Sequence, residues 1–259
     1  METLKNIKNN LFNTQVGVAS VMFGIALMIC AAMLANGIGN IKRANNVIAV
    51  TGSADKIVKS DNAKLGFSLS KKIYGTDLNA GYKSLAADLG FVKAYLKSNG
   101  IKDENITLEL SKSNEICKMN TRTTYPYSDC SLGIDGYDIS QSITVSIKDV
   151  DLAKKISGQA PTDMSVRQGI VLTNTEYFYD KLKDDRAELM SMATKNAMER
   201  ARAVASAGNS ALGAIVEAST GVIQVTQVNS VDVSDSGTYD TSTVDKKITA
   251  VVRVSFEVK

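Results

Sequence analysis

The first apolar segment of the chain is continuous and has no polar face. Residues 16–38 contain no charged side chain across 23 positions. As a helix, such a segment is roughly 34 Å long, which exceeds the hydrocarbon core of a bilayer at about 30 Å. The pattern predicts a transmembrane helix over residues 16–38, with a short tail before it (residues 1–15) and a linker after it (residues 39–44). Basic residues lie on both sides of the span, so they do not decide its orientation. A cleaved signal peptide is the alternative, although its apolar region is normally about 7–15 residues long.

Small residues recur at intervals of four in two runs, the first inside this predicted span and the second ending just after it. The positions are Ser20, Gly24, Ala31, Ala35 and Gly39. Such spacing lets two helices approach closely in lipid, so it predicts helix packing in the membrane. The other interpretation is that small residues are simply common in membrane spans.

From residue 45 onward the hydrophobic pattern changes to the alternation of half-buried strands and the three- and four-residue spacing of amphipathic helices. Strands are predicted over 45–50, 61–71, 105–117, 138–148, 166–173, 214–219, 222–228 and 248–258, and helices over 77–98, 149–157 and 176–208. Gly52, Gly133 and Gly136 are interpreted as turn glycines. Residues 229–247 are predicted to form a polar hairpin loop.

The order of the central elements is strand, helix, strand, strand, helix, strand. This is the ferredoxin-like order, which predicts an antiparallel sheet with helices on one face. A long Ala-rich helix and a C-terminal strand follow. The sequence therefore predicts one α+β domain over residues 45–259.

Composition and charge exclude several functions. The net charge is only +3, from 30 basic and 27 acidic residues, and no Lys/Arg-rich block suggests a nucleic-acid partner. The chain has no histidine, which removes the usual general base and the commonest zinc ligand. We expect a non-enzymatic protein without a cofactor, because an enzyme would need a carboxylate, lysine or tyrosine site and no convergent set is visible.

Two cysteines flank a short loop between strands that should pair. Cys117 and Cys130 would form a stabilising disulfide in an oxidising compartment, and free thiols or bonds between subunits are the alternatives. Tyr125, Tyr127 and Tyr137 lie in or just after this loop. Their aromatic side chains are candidates for an interface with a partner, or they pack locally over the disulfide.

Two acidic clusters invite a metal-site interpretation. The first comprises Asp180, Asp184, Asp185 and Glu188, and the second comprises Asp232, Asp235 and Asp240. The first is better explained as a solvated helix start favoured by the helix dipole. The second lacks a regular ligand spacing and is better explained as the tip of a mobile hairpin. We therefore predict no metal site.

Four segments, taken in order, resemble the SIMPL (DUF541) family of bacterial envelope proteins. They are NVIAVTGSADKIVKSDNAKLGFSLS, GIKDENITLELSKS, IDGYDISQSITVSIKDVDLAKKI and DDRAELMSMATKNAMERARAVASAG, with ITAVVRVSFEV closing the domain. The resemblance covers about residues 45–259. It implies a periplasmic or outer-envelope location, a link to oxidative stress, and large ring-like or channel-like homo-oligomers, and it provides no catalytic residues. The departures are the cysteine-flanked loop and the retained anchor.

These observations lead to a functional hypothesis. The cysteines and the family resemblance favour a single-pass protein of the bacterial inner membrane, with residues 1–15 as a short cytoplasmic tail and the C-terminal domain on the periplasmic side. Its partners would be the bilayer, through residues 16–38, and further copies of itself in a large ring-, channel- or cage-like homo-oligomer. The alternative is a monomeric or dimeric periplasmic module that binds a ligand or senses stress, through the sheet or the 229–247 loop.

Overall fold

The computed structural model describes residues 22–34, 46–118, 130, 132–232 and 234–259. Within these ranges the protein is α+β, with two antiparallel sheets and four α-helices. The strands are β1 Val47–Lys59, β2 Asn62–Tyr74, β3 Ile106–Leu108, β4 Lys112–Cys117, β5 Ile134–Ile147, β6 Ile170–Phe178, β7 Leu212–Thr220, β8 Gln224–Gln227 and β9 Asp245–Val258. The helices are α1 (residues 22–34), α2 Leu78–Ser98, α3 Val150–Met164 and α4 Leu182–Ala207.

The contacts between Cα atoms divide the chain into two compact units. The larger unit comprises Ser53–Ala193 and Gly221–Val251. The smaller unit comprises Met1–Gly52, Thr194–Thr220 and Val252–Lys259. Each unit is described separately below.

The five-stranded sheet of the larger unit has the order β3-β5-β2-β6, and β4 also pairs with β5. All of these pairs are antiparallel. Read from β2, the chain runs strand, helix, two short strands, strand, helix, strand. This arrangement confirms the ferredoxin-like core predicted from the sequence.

Apolar residues of β2 and β5 share one face because the register places them opposite each other. Leu65 pairs with Val145 and Phe67 pairs with Ile143, and all four are buried. Buried residues of α2 and α3, namely Leu85, Val92, Leu96, Ala153 and Ile156, belong to the same core cluster. Two aspartates begin the helices: Asp77 accepts a hydrogen bond from Ala80 N, and Asp149 accepts one from Leu152 N, both at 3.0 Å.

A buried carboxylate lies on α2 within this core. The Asp88 side chain is 4% exposed, and its two oxygens lie 2.8 Å from Lys71 Nζ and 2.8 Å from Arg167 Nη1. The Arg167 guanidinium also lies over the Phe91 ring, 4.9 Å from its centroid. Asp88 thus joins α2 to the end of β2 through an ion pair with Lys71, and to the segment after α3 through a charge-assisted hydrogen bond from Arg167.

Several predicted boundaries were wrong. Gly52 is a buried position inside β1, and Gly136 lies inside β5, where a side chain would collide with the Ile73 carbonyl oxygen. Gly133 has φ +95° and is a turn glycine as predicted. The predicted strand 105–117 is two strands, β3 and β4.

Further boundary errors concern α3, β6 and α4, and β9 begins at Asp245, inside the predicted 229–247 loop. Helix α3 continues through Pro161 to Met164, because Ala160 and Met164 are both buried. Strand β6 covers Ile170–Phe178 instead of 166–173, and it takes in residues that were predicted to begin the long helix. Helix α4 therefore begins at Leu182.

The smaller unit pairs β7 with the last residues of β9 in antiparallel fashion. Its buried apolar residues are Ala197, Ala201 and Ala205 of α4 together with Val252, Val254 and Phe256 of β9. Arg200 Nη1 donates to the Thr51 carbonyl oxygen at 3.0 Å, which ties α4 to the start of β1. Alanine at every fourth position permits close approach between helix and sheet, as the Ala-rich pattern predicted.

Candidate functional site

Strand β7 presents an uncovered edge in the smaller unit. Its only described strand partner is β9, and all residues from 214 to 220 are exposed. On the side that faces the buried row of β9, Ile215 pairs with Phe256 and Ala218 pairs with Val254. Phe256 is 2% exposed, whereas Ile215 is 52% exposed. The residues that pack over this face of β9 therefore leave the same face of β7 open to solvent. The edge therefore has unpaired backbone groups next to exposed apolar side chains.

The register of β7 is irregular in its first half. Shifts occur between Leu212 and Ile215 and between Ile215 and Glu217, whereas Glu217–Thr220 pair regularly with β9. Bulges of this kind limit uncontrolled edge pairing. The regular second half, with the apolar pair Ile215 and Val216 beside it, is the part of the edge that a further strand could join.

The structure joins the two loop cysteines. Cys117 ends β4, and its Sγ forms a disulfide with Cys130, with the Cα atoms 4.8 Å apart. Strand β4 pairs with β5 at the margin of the five-stranded sheet, so the disulfide closes the loop where the sheet ends. Cys30 is free and exposed.

The predicted interface tyrosines have different placements. Tyr125 and Tyr127 lie outside the described residues. Tyr137 lies in β5, paired with Ile73 and Glu115, and its half-buried side chain packs against the core of the larger unit. It therefore contributes to packing.

Helix α1 is strongly apolar and exposed. Met22, Phe23, Met28 and Met33 are each at least two-thirds exposed. Gly24 has open space around it, and Ala31 is exposed. Ser20, Ala35, Gly39, residues 1–15 and residues 39–44 lie outside the described residues. Within the described ranges, no helix is both long enough and apolar enough to span a bilayer.

A comparison with known protein families matches one family model to this chain. The family model described as SIMPL, protein of unknown function (DUF541), matches residues 48–256. The chain belongs to the SIMPL family. No curated protein matches the sequence. The matched range contains all nine strands except the first residue of β1 and the last two residues of β9.

The first acidic cluster of the SIMPL domain is engaged by a lysine of β1. Lys56 Nζ lies 2.8 Å from Asp185 Oδ1 and 3.1 Å from Glu188 Oε2. The Tyr179 hydroxyl donates to Asp185 Oδ2 at 2.6 Å. The interpretation as a solvated helix start was therefore incomplete, because Asp185 is only 14% exposed and has a cationic partner.

The remaining members of the two acidic clusters are exposed or have partners of their own, and Asp235 is an exposed turn residue. Asp180 precedes α4 and accepts a hydrogen bond from Asn62 Nδ2 at 3.4 Å, and Asp184 is exposed. Asp232 accepts from Ser230 Oγ at 2.9 Å, and Asp240 forms an ion pair with Lys246. In the part of the SIMPL chain that the structure describes, no group of three acidic or cysteine side chains is placed to hold a metal ion.

Acid should destabilise the SIMPL domain through its paired carboxylates. Hydrogen bonds from Lys56 and Tyr179 lower the pKa of Asp185. Burial would raise the pKa of Asp88, but its bonds to Lys71 and Arg167 outweigh burial and lower it. A folded-state pKa below the unfolded value gives stability that is present at neutral pH and lost as the pH falls through the folded pKa.

We therefore expect the unfolding temperature to be nearly constant between about pH 7 and 5 and to fall steadily below about pH 4. Thermal unfolding followed by circular dichroism across this range is the measurement. The Asp185→Asn variant should show a shallower acid decline than the unmodified protein. Equal declines in the two proteins would show that Asp185 does not contribute.

Proposed function

We propose that this SIMPL protein is a non-enzymatic, membrane-anchored envelope protein that self-assembles into a large ring-, channel- or cage-like homo-oligomer linked to oxidative or envelope stress defence. The uncovered edge of β7 is the observation that carries the proposal. A second copy can continue the sheet and cover Ile215 and Val216 at the same time. A two-fold contact between two β7 edges joins only two copies, so a ring or cage also needs a second contact, which packing of the small-residue helix face in the membrane would supply.

A second copy of the chain suits this edge better than an unrelated partner. Glu217 pairs with Ser255, and Arg253 of β9 pairs with the next outward residue of β7, Ser219. Each copy therefore brings one anionic and one cationic side chain to the same surface. Two edges of this kind can meet with opposite charges facing each other, which favours correct register over other partners.

The proposal also includes a membrane anchor and a periplasmic position for the SIMPL domain. The apolar span 16–38 would hold the protein in the bacterial inner membrane as a single-pass protein, and the described helix α1 lies within that span. The Cys117–Cys130 disulfide supports a periplasmic position for the SIMPL domain, because disulfides persist in oxidising compartments.

The alternative, a monomeric or dimeric ligand-binding or stress-sensing module, would be favoured by a ligand that raises the melting temperature of an unassembled protein.

The substitution Val216→Lys tests the β7 edge. Val216 is 62% exposed, so the variant should fold, while a lysine at this position opposes strand pairing. We expect the mass of the detergent-extracted particle to fall by at least about twofold, since a charge at an apolar contact costs several-fold in affinity. Val166→Lys is the matched control, because Val166 is 74% exposed outside any strand. An unchanged mass for Val216→Lys, with unfolding temperatures equal in all three proteins, would argue against the edge.

A further inference from the structure

The larger unit contains an open cleft beside the polar hairpin. Its volume is about 490 Å³, which lies within the usual range for small-molecule sites. The polar side chains that line it come from α3, from the end of β8 and from the hairpin, and Tyr177 of β6 adds an aromatic wall. The lining residues that matter here are Lys154, Tyr177, Gln227, Asn229, Ser242 and Asp245.

A buried lysine fixes the hairpin wall of this cleft. Lys246 is 0% exposed, and its Nζ donates to the carbonyl oxygens of Asp240 at 2.5 Å and Thr243 at 2.7 Å. The Asp240 carboxylate lies 3.4 Å from the same Nζ and accepts from both the N–H and the hydroxyl of Ser242. These contacts join Asp240, Thr243 and Lys246 to one another, so they hold the segment between them in one backbone conformation.

Further hydrogen bonds hold the hairpin against the sheet. Tyr177 N donates to the Thr241 carbonyl oxygen at 2.7 Å, and Ser60 N donates to the Val244 carbonyl oxygen at 2.9 Å. Gln227 Nε2 donates to Ser242 Oγ at 3.3 Å across the lining of the cleft. The polar groups on this wall are therefore positioned before any ligand arrives, which lowers the entropy cost of binding.

Two opposite charges of the lining have no ion-pair partner among the described residues. Neither the Lys154 ammonium nor the Asp245 carboxylate lies within 4.0 Å of an opposite charge in that part of the chain. The nearby Lys59 ammonium is already bound by both oxygens of Asp151, at 2.9 and 2.7 Å. Lys154 and Asp245 are thus available to a bound molecule that carries both charges.

We propose that this cleft binds a small zwitterion, a short peptide with free termini, whose carboxylate contacts Lys154 and whose ammonium contacts Asp245. The side-chain amides of Gln227 and Asn229 supply donors and acceptors for a peptide bond. Tyr177 provides an apolar surface for a small side chain. This inference holds whether the chain is assembled or monomeric, because the cleft lies within one unit of one chain.

The test is isothermal titration calorimetry of the full-length protein in mild detergent, with L-alanyl-L-alanine as the probe. We expect binding, and we expect Lys154→Met to weaken it at least about tenfold, the factor of one lost charged contact. Lys155→Met is the matched control, since Lys155 is an exposed neighbour on α3 that does not line the cleft. It should bind with unchanged affinity.

Blocked probes identify which end of the peptide each residue contacts. Binding of N-acetyl-alanyl-alanine should depend on Lys154 and be insensitive to Asp245→Asn, and binding of alanyl-alanine amide should show the opposite dependence. No binding of the free dipeptide below about 10 mM would overturn the proposal, as would equal effects of Lys154→Met and Lys155→Met. Binding of glucose without binding of the dipeptide would also overturn it, in favour of a saccharide site.

Discussion

The double substitution Cys117→Ser, Cys130→Ser is expected to lower the free energy of unfolding by about 3 kcal/mol. The bond joins residues separated by 13 positions, and a loop of that size loses conformational entropy in the unfolded chain when it is closed. The loss should be large because the disulfide also holds β4, an exposed strand whose one strand partner among the described residues is β5. Thermal unfolding of the full-length protein in mild detergent is the measurement.

Two controls separate the disulfide from general effects of cysteine replacement. Cys30→Ser should leave the unfolding temperature unchanged, because Cys30 is exposed and unbonded. Adding a reductant to the unmodified protein should reproduce the behaviour of the double variant. Equal unfolding temperatures with and without reductant would contradict a structural disulfide.

The substitution Asp88→Asn is expected to cost about 2–3 kcal/mol of folding free energy. It removes the negative charge between Lys71 and Arg167 while keeping the shape of the side chain. Breaking a buried ion pair typically costs about 3–5 kcal/mol. The lower figure applies here because the Lys71 and Arg167 side chains are 25% and 41% exposed and water can partly compensate them.

A surface ion pair provides the matched control for Asp88. Asp103 lies 2.6 Å from Lys97 Nζ, but both side chains are more than half exposed. Asp103→Asn should therefore change stability by less than about 0.5 kcal/mol. The measurement is chemical denaturation of the unmodified protein, Asp88→Asn and Asp103→Asn. Equal losses of unfolding free energy in the two variants would contradict the burial argument.

The ferredoxin-like core could be predicted because its strands alternate clearly between apolar and polar residues. Residues 61–71 and 138–148 show this pattern, and the structure pairs them with Phe67 opposite Ile143. The position of β6 could not be predicted in the same way. The register between β6 and β2 shifts between Gly66 and Phe67. The pairing with β2 therefore decides which residues of β6 are buried, and the sequence of β6 alone does not show it.

The candidate sites were less accessible to sequence reasoning because they depend on tertiary contacts. Lys56 and Asp185 are separated by 129 positions, so nothing in the local pattern indicated their ion pair. Lys246 lies in a polar stretch and would be assigned to the surface, yet it is fully buried. Strand β7 is exposed because the residues that pack on β9 do not reach it. An alternating sequence pattern predicts a strand but does not predict which strands are covered. The cysteine pair was the exception, since its position between two strands already indicated a bond.

The mass of the full-length protein extracted in mild detergent tests the proposed self-assembly most directly. The account predicts a particle of many subunits, and it predicts that a chain lacking residues 1–43 is still at least a dimer, because the β7 edge lies in the folded domain. A particle with the mass of a single chain in both proteins, which is 27.7 kDa for the 259-residue chain and less for the shortened one, would contradict it.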